Sequence, residues 1–125
     1  MKEFAIREDH LYRKTYLKGK KASSRTVTVY VLRDYAAEKL KKQNPQKKTL
    51  NRIGLTVTKK LGGAVTRNRT KRIIREAFRH VQSAYKLRTG FLVVIVAHSA
   101  CVGASSREVE ADLTRIFGKL GFFLA

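Results

Sequence analysis

The sequence predicts an α+β fold, a small mixed sheet packed with three helices as a single-domain α/β sandwich, and three observations carry that prediction. Residues 25–33 (RTVTVYVLR) and 51–60 (NRIGLTVTKK) alternate apolar and polar side chains with the period of a strand. Residues 67–85 and 105–120 instead repeat apolar side chains at helical spacing. Residues 91–97, FLVVIVA, are nearly all apolar, as expected of a strand covered on both faces. The predicted order is α-β-β-α-β-α with room for an extra short strand, all within one domain spanning residues 1–125.

The first helix is placed at residues 9–18 (DHLYRKTYLK), started by Asp9 and stopped by Gly19, with Tyr12 and Tyr16 on one face. In the first strand Val27, Val29 and Val31 point to one side, and Thr26, Thr28, Tyr30 and Leu32 to the other. Residues 35–50 are polar and Lys-rich, with Asn44-Pro45 as a turn signal, and read as a long hairpin connection inserted as a loop. In the next strand Ile53, Leu55 and Val57 face inward. The loop LGGAV then leads into the long helix. A strand, a helix and a buried strand in series predict a parallel βαβ unit joined to an antiparallel hairpin. The last helix opens with a capping box, Ser105 with Glu108, carries Val109, Leu113, Ile116 and Leu120 as its core stripe, and ends at Gly121.

With 28 Lys+Arg against 9 Asp+Glu, the formal net charge is +19 on 125 residues, a field that attracts polyanions. At 43% hydrophobic residues the chain has the material for a core, which excludes a disordered basic tail. The single cysteine, Cys101, excludes an internal disulfide and suits a reducing compartment. The charged opening MKEFAIREDH has no apolar signal region, and the longest apolar run is far too short to span a bilayer. The expectation is a cytoplasmic protein.

The charges are most ordered between Lys59 and Arg79, KKLGGAVTRNRTKRIIREAFR, where eight cations (Lys59, Lys60, Arg67, Arg69, Lys71, Arg72, Arg75, Arg79) stand beside one acid, Glu76. At about 100° per residue, Asn68, Arg72, Arg75 and Arg79 fall on one face of the helix. Ile74, Phe78, Val81 and Tyr85 cluster on another. A solvated helix face would intersperse carboxylates, yet Lys71 and Arg75, and Arg75 and Arg79, repel each other at four-residue spacing. A polyphosphate relieves that repulsion, and the guanidinium fork suits bidentate phosphate contacts. Gly62-Gly63 reads as a turn whose amides face phosphate with the helix N-terminus.

Tyr12, Tyr16 and Tyr30, interleaved with Arg13, Lys14, Lys18, Lys20, Lys21 and Arg25, suit a single strand whose bases stack on rings while cations follow the backbone. The same tyrosines serve equally well to pack a helix against a sheet. The acids are scattered, and the Glu108/Glu110/Asp112 group reads as a solvated helix face. His10, His80 and His98 lie on different elements without ligand spacing. A protein nuclease using two metals needs converging carboxylates, so no catalytic residue and no protein-bound metal or cofactor is expected.

The spacing of Lys59, Lys60, Gly62, Ala64, Val65, Arg67, Asn68, Arg69, Lys71, Arg72 and Arg75 resembles the signature K-K-x-G-x-A-V-x-R-N-R-x-K-R-x-x-R of the bacterial ribonuclease P protein subunit. Upstream, Tyr12, Tyr16 and Gly19 resemble that family's first helix, and Arg25 and Tyr30 its strand bearing an Arg and an aromatic. The first-helix aromatics are usually Phe in the family, and Gly63 stands where Asn or Lys is common. The resemblance implies a ribosomal protein S5 domain 2-like sandwich with a left-handed βαβ crossover, against the usual hand. It implies a ribonucleoprotein that removes the 5′ leader of precursor tRNA, in which the RNA subunit hydrolyses the phosphodiester with bound Mg²⁺. It implies that Lys59, Lys60, Arg67, Asn68, Arg69, Lys71, Arg72, Arg75 and Arg79 bind that RNA. Tyr12, Tyr16, Arg25 and Tyr30 would line a cleft for the single-stranded leader.

Three other functions compete. A ribosomal-type RNA binder matches charge and size but stimulates no cleavage. A DNA-binding regulator lacks a helix-turn-helix pattern, and the basic helix has its apolar side committed to a sheet. A protein-only nuclease is opposed by the dispersed acids.

Overall fold

A computed structural model describes residues 4–6, 8–34 and 51–124. The loop expected over residues 35–50 lies outside them. Strand β1 (Phe4–Ala5) leads to helix α1 (Asp9–Lys18), then β2 (Lys20–Ser23), β3 (Val27–Arg33) and β4 (Arg52–Thr56). A 3₁₀ turn (Lys59–Leu61) precedes α2 (Ala64–Ala84), followed by β5 (Phe91–Ala97), a second 3₁₀ turn (Ser99–Cys101) and α3 (Ser106–Lys119).

The five strands lie in the order β1-β4-β5-β3-β2. β4 and β5 are parallel, as the βαβ reading requires, and β1 is parallel to β4. The expected hairpin between the two alternating strands is corrected. β5 lies between them, with Val31 opposite Val93 and Ile53 opposite Val93 on its other side. The reason is burial: FLVVIVA is apolar on both faces and takes the centre of the sheet, where helices cover it on both sides. The hairpin that does form joins β2 to β3, with Lys21 opposite Tyr30 and Ser23 opposite Thr28. β2 escapes a period-based reading because it is a short, Lys-rich edge strand, the composition that blunts an exposed edge.

The molecule has three layers. On one face of the sheet Val27, Val29, Val31, Val93, Ile95 and Ala97 pack against the apolar stripes of α2 and α3. On the other face Leu92 and Val94 pack with Ile6, Leu11, Tyr12, Tyr30, Leu32 and Val96, beneath α1. α2 begins three residues before its expected start and buries Thr70, Ile74, Ala77, Phe78 and Val81. Tyr85 departs from the expected stripe. It follows the last helical turn, is 46% exposed, and lays its ring 4.8 Å from Phe123. In α3 the Ser105 hydroxyl accepts from the Glu108 N–H at 3.2 Å, and Gly121 takes the positive φ of a helix stop.

Gly19 ends α1 at an ordinary extended φ of −75°. It is required there by proximity, since a Cβ would stand 2.5 Å from the Thr15 carbonyl oxygen and 2.8 Å from that of Val31. Cys101 is fully buried, and burial with the nearby Asp112 charge pushes its thiol up to about 11, so it is packing material rather than a nucleophile. No helix among the described residues is long and apolar enough to cross a membrane.

Candidate nucleic-acid interface

The basic stretch folds as two connected pieces. Lys59 and Lys60 sit exposed on the 3₁₀ turn, and Gly62, at φ 141°, reverses the chain into α2. Gly63 caps the helix without a side chain to offer, and no acid occupies the first turn, so the first amides remain open to an anion. Asn68, Arg72, Arg75 and Arg79 are all exposed along one side, as the helical spacing predicts. Arg69 is exposed too, while Arg67 and Lys71 are half-buried on the flank nearer the sheet.

Three arginines elsewhere in the molecule are paired with acids. Arg25 meets Glu108 at 2.9 Å, Arg52 grips the buried Asp34 at 2.6 and 2.8 Å, and Arg115 lies 3.5 Å from Asp112. None of Lys59, Lys60, Arg67, Arg69, Lys71, Arg72, Arg75 and Arg79 has an acidic partner among the described residues. The buried Arg67 Nε has no hydrogen-bond partner among them at all. An unpaired buried donor is costly, and an acceptor supplied by a ligand removes that cost.

The second element is aromatic. Tyr12 and Tyr16, one turn apart on α1, have ring centroids 6.5 Å apart, and Tyr16 meets the Tyr30 ring edge-on at 5.0 Å. Their roles are graded by burial. Tyr12 lies on Gly54, where any Cβ would come within 2.6 Å of its ring; burial raises its phenol pKa, and the neighbouring Tyr16 adds to that shift. Tyr16 is 36% exposed and its hydroxyl shares a 2.6 Å hydrogen bond with Thr56 Oγ1. Tyr30 is half-buried. Tyr12 therefore anchors α1 to the sheet, and Tyr16 and Tyr30 offer ring surface to solvent.

Arg25 is not brought to this trio. It lies in the turn before β3, and its guanidinium is tied to Glu108 at the start of α3. The expected solvated face of α3 is corrected as well. Glu108 pairs with Arg25, Glu110 Oε1 accepts from His80 Nδ1–H at 2.9 Å, and Asp112 is buried, accepting from the Thr26 N–H and hydroxyl. Burial opposes ionisation of Asp112, yet these hydrogen bonds, one from Ser24 and the Arg115 charge outweigh it and lower its pKa. Among the described residues no group of His, Cys, Asp and Glu is placed to hold a metal ion.

Thr28 and Lys21, which the sequence set beside the tyrosines, share the open sheet face with Ser23, Thr56 and His98, which it did not. Lys21 sits opposite Tyr30 in register, and Ser23, Thr28, Val96 and Thr56 form the adjacent row across four strands. His98 joins them, with Nε2 2.6 Å from Thr28 Oγ1. Only the pairing of β2 with β3 makes this row visible. The signal available beforehand was Gly19 followed by a short Lys-rich stretch, the composition of an edge strand.

Fold and site together define a small, basic α+β sandwich with a cationic helix on one face of its sheet and an aromatic platform on the other. The family model described as Ribonuclease P matches residues 1–121. Similar over nearly the whole length is the Ribonuclease P protein component of Clostridium acetobutylicum, 36% identical across 99% of this chain and 94% of that one. That of Alkaliphilus oremlandii is 30% identical across 92% and 89%. Among solved structures, the RNase P protein of Staphylococcus aureus superposes with a TM-score of 0.74 at 24% identity, covering 98% of this chain and all of that one. The protein from Thermotoga maritima does so with a TM-score of 0.66 at 21% identity, covering 92% and 94%. The chain belongs to the ribonuclease P protein family, the protein components of the ribonucleoprotein endoribonuclease that matures tRNA 5′ ends.

Proposed function

We propose that the chain binds the catalytic RNA subunit through Lys59, Lys60, Arg67, Asn68, Arg69, Lys71, Arg72, Arg75 and Arg79. The same protein receives the single-stranded 5′ leader of precursor tRNA on Tyr16 and Tyr30, with Tyr12 holding the platform in place. The RNA subunit, with its own Mg²⁺, carries the hydrolysis in the cytoplasm, and the polypeptide contributes no reacting group. The observation that carries this reading is the pattern of charge: eight cations with a single acid, Glu76, between Lys59 and Arg79, none of the eight ion-paired among the described residues, in a chain that pairs Arg25, Arg52 and Arg115 internally. Stacking on the two rings contributes about 1–3 kcal/mol per base without sequence preference, which suits leaders of differing sequence. Arg25 belongs to the leader path only if RNA displaces Glu108 from it.

The test is cleavage of precursor tRNA at low Mg²⁺ by a bacterial ribonuclease P RNA alone, by this protein alone, and by the two together. Correct 5′ processing only in the mixture supports the reading. Cleavage by the protein alone overturns it, and a folded protein that gives no stimulation makes ribosomal-type RNA binding the leading function. Tyr16→Ala and Tyr30→Ala should weaken binding of precursor tRNA by the assembled enzyme about tenfold, from the stacking energy above, and mature tRNA hardly at all. Equal losses for both remove the leader cleft.

A further inference from the structure

The two parts of the proposed leader site described so far do not distinguish RNA from DNA. Aromatic rings stack on any base, and lysines neutralise any phosphate. The sheet face beside the tyrosines carries a third part with a different chemistry. Thr28 Oγ1, 6% exposed as a residue, sits between Ser23 Oγ at 2.8 Å and His98 Nε2 at 2.6 Å. Thr28 and Tyr30 are two residues apart on β3 and therefore share the face. Across Val96 in the same row stands the hydroxyl pair of Thr56 and Tyr16. Ser23 is exposed, and His98 and Val96 are only half-buried, so the row is open to a ligand.

A buried hydroxyl between two partners has one proton to give, and this orders the chain. If His98 Nε2 accepts from Thr28, Ser23 donates inward to Thr28. The exposed serine then shows lone pairs to solvent, and the half-buried imidazole carries its proton on Nδ1. If Nε2 carries the proton, the chain reverses: Thr28 donates to Ser23, whose own O–H turns outward. Either way the row offers a ligand both a donor and an acceptor whenever the imidazole is neutral. A phosphate has no use for the acceptor. Base edges differ from one nucleotide to the next, and a site serving varied leaders gains nothing by reading them. The group present in every ribonucleotide that both donates and accepts is the ribose 2′-hydroxyl, which is also what distinguishes RNA from DNA.

We propose that Ser23, Thr28 and His98 form a subsite for a 2′-hydroxyl of the leader, so that a sequence-tolerant stacking platform is made selective for RNA. The inference rests on the leader reading above, and its test separates the two. The assembled enzyme is titrated with precursor tRNA carrying an all-ribose leader, a 2′-deoxy leader, a 2′-fluoro leader, or no leader. The nucleotide next to the scissile bond is kept as ribose throughout. The 2′-fluoro sugar keeps the ribose pucker but cannot donate, so it separates hydrogen bonding from sugar shape.

The wild type should bind the ribose leader about fivefold more tightly than either substituted leader, the value of one net hydrogen bond. Thr28→Val, which keeps the volume and β-branching but breaks the chain in the middle, should bind all three leaders alike and still prefer them to leaderless tRNA. Ser23→Ala, at an exposed position that leaves the Thr28–His98 pair intact, should shrink the ribose preference without disturbing the fold. Equal binding of ribose and substituted leaders by the wild type, with the leader preference intact, overturns the subsite alone. So does a ribose preference that survives undiminished in both variants. Loss of any preference for a leader over none would instead sink the leader cleft itself.

Discussion

α2 and α3 are built alike on their inner sides and oppositely on their outer ones. Both lay an apolar stripe on the same face of the sheet, and they meet through Phe78 and Phe117, whose rings stand 5.9 Å apart at 66°. Outward, the three acids of α3 are tied to neighbours: Glu108 to Arg25, Glu110 to His80, Asp112 to Thr26 and Arg115. α2 shows solvent a row of cations with one acid, Glu76, and none of its Lys or Arg residues is ion-paired among the described residues. Its His80 is the exception, reaching across to Glu110 near the helix's far end. The difference teaches that the inner face of a helix reports how it packs, while the outer face reports whether the partner is already present in the fold. The acids of α3 have their partners, and the cations of α2 await one.

The largest effect should come from breaking what the helices share. Phe117 is fully buried among Phe78, Phe122 and Phe123. Phe117→Ala should cost about 3–5 kcal/mol in a denaturant titration, and RNA binding should fall only in step with the unfolded fraction. A loss of affinity in protein that remains folded would mean that the seam also sets the geometry of the cationic face.

Next comes the outer face of α2. Arg67→Ala combined with Arg69→Ala should weaken binding to the RNA subunit and flatten the slope of log affinity against log salt by about one for each phosphate left without its cation. The thermal midpoint should hold, because neither guanidinium has an acidic partner among the described residues. A fall in midpoint matching the fall in affinity would make these residues structural and remove the contrast with α3.

The mirror change on α3 should do little. Arg115→Ala removes a half-exposed ion pair with Asp112 and a hydrogen bond to Ser24, worth less than about 1 kcal/mol by thermal melt. RNA affinity should be unchanged. Loss of RNA binding here would show that the interface wraps onto α3.

The smallest effect is confined to acid. The pKa of Asp112 is lowered in the fold by Thr26, Ser24 and Arg115, against its burial. Its carboxylate therefore contributes stability above the unfolded value, about 3.9, and that contribution is lost as pH falls through the lower folded value. Melts recorded from pH 5 down to pH 2 should show a shallower loss for Asp112→Asn than for the wild type. Parallel curves would mean that the hydrogen bonds to Asp112 do not favour its ionised form.

Local signals located the first helix by its ends, Asp9 and Gly19, the other two helices, the inward valines of β3 and the cationic row of α2 by spacing, and the two-sided burial of β5 by its unbroken apolar run. The signature between Lys59 and Arg75 located the family for the same reason: its residues are neighbours in the chain. The sequence could not place β5 between β3 and β4, since strand order depends on which segment gains most from being covered twice, a comparison across the whole sheet. Nor could it pair Arg25 with Glu108 or bury Asp112 under Thr26. Those bonds join residues more than eighty positions apart, and a carboxylate on a helix looks solvated until a distant hydroxyl is folded against it. The row of Ser23, Thr28 and His98 exists only once two antiparallel pairings set their registers. Local chemistry determined which residues would seek an external anion; tertiary structure decided which of the remaining charges had already been answered from within.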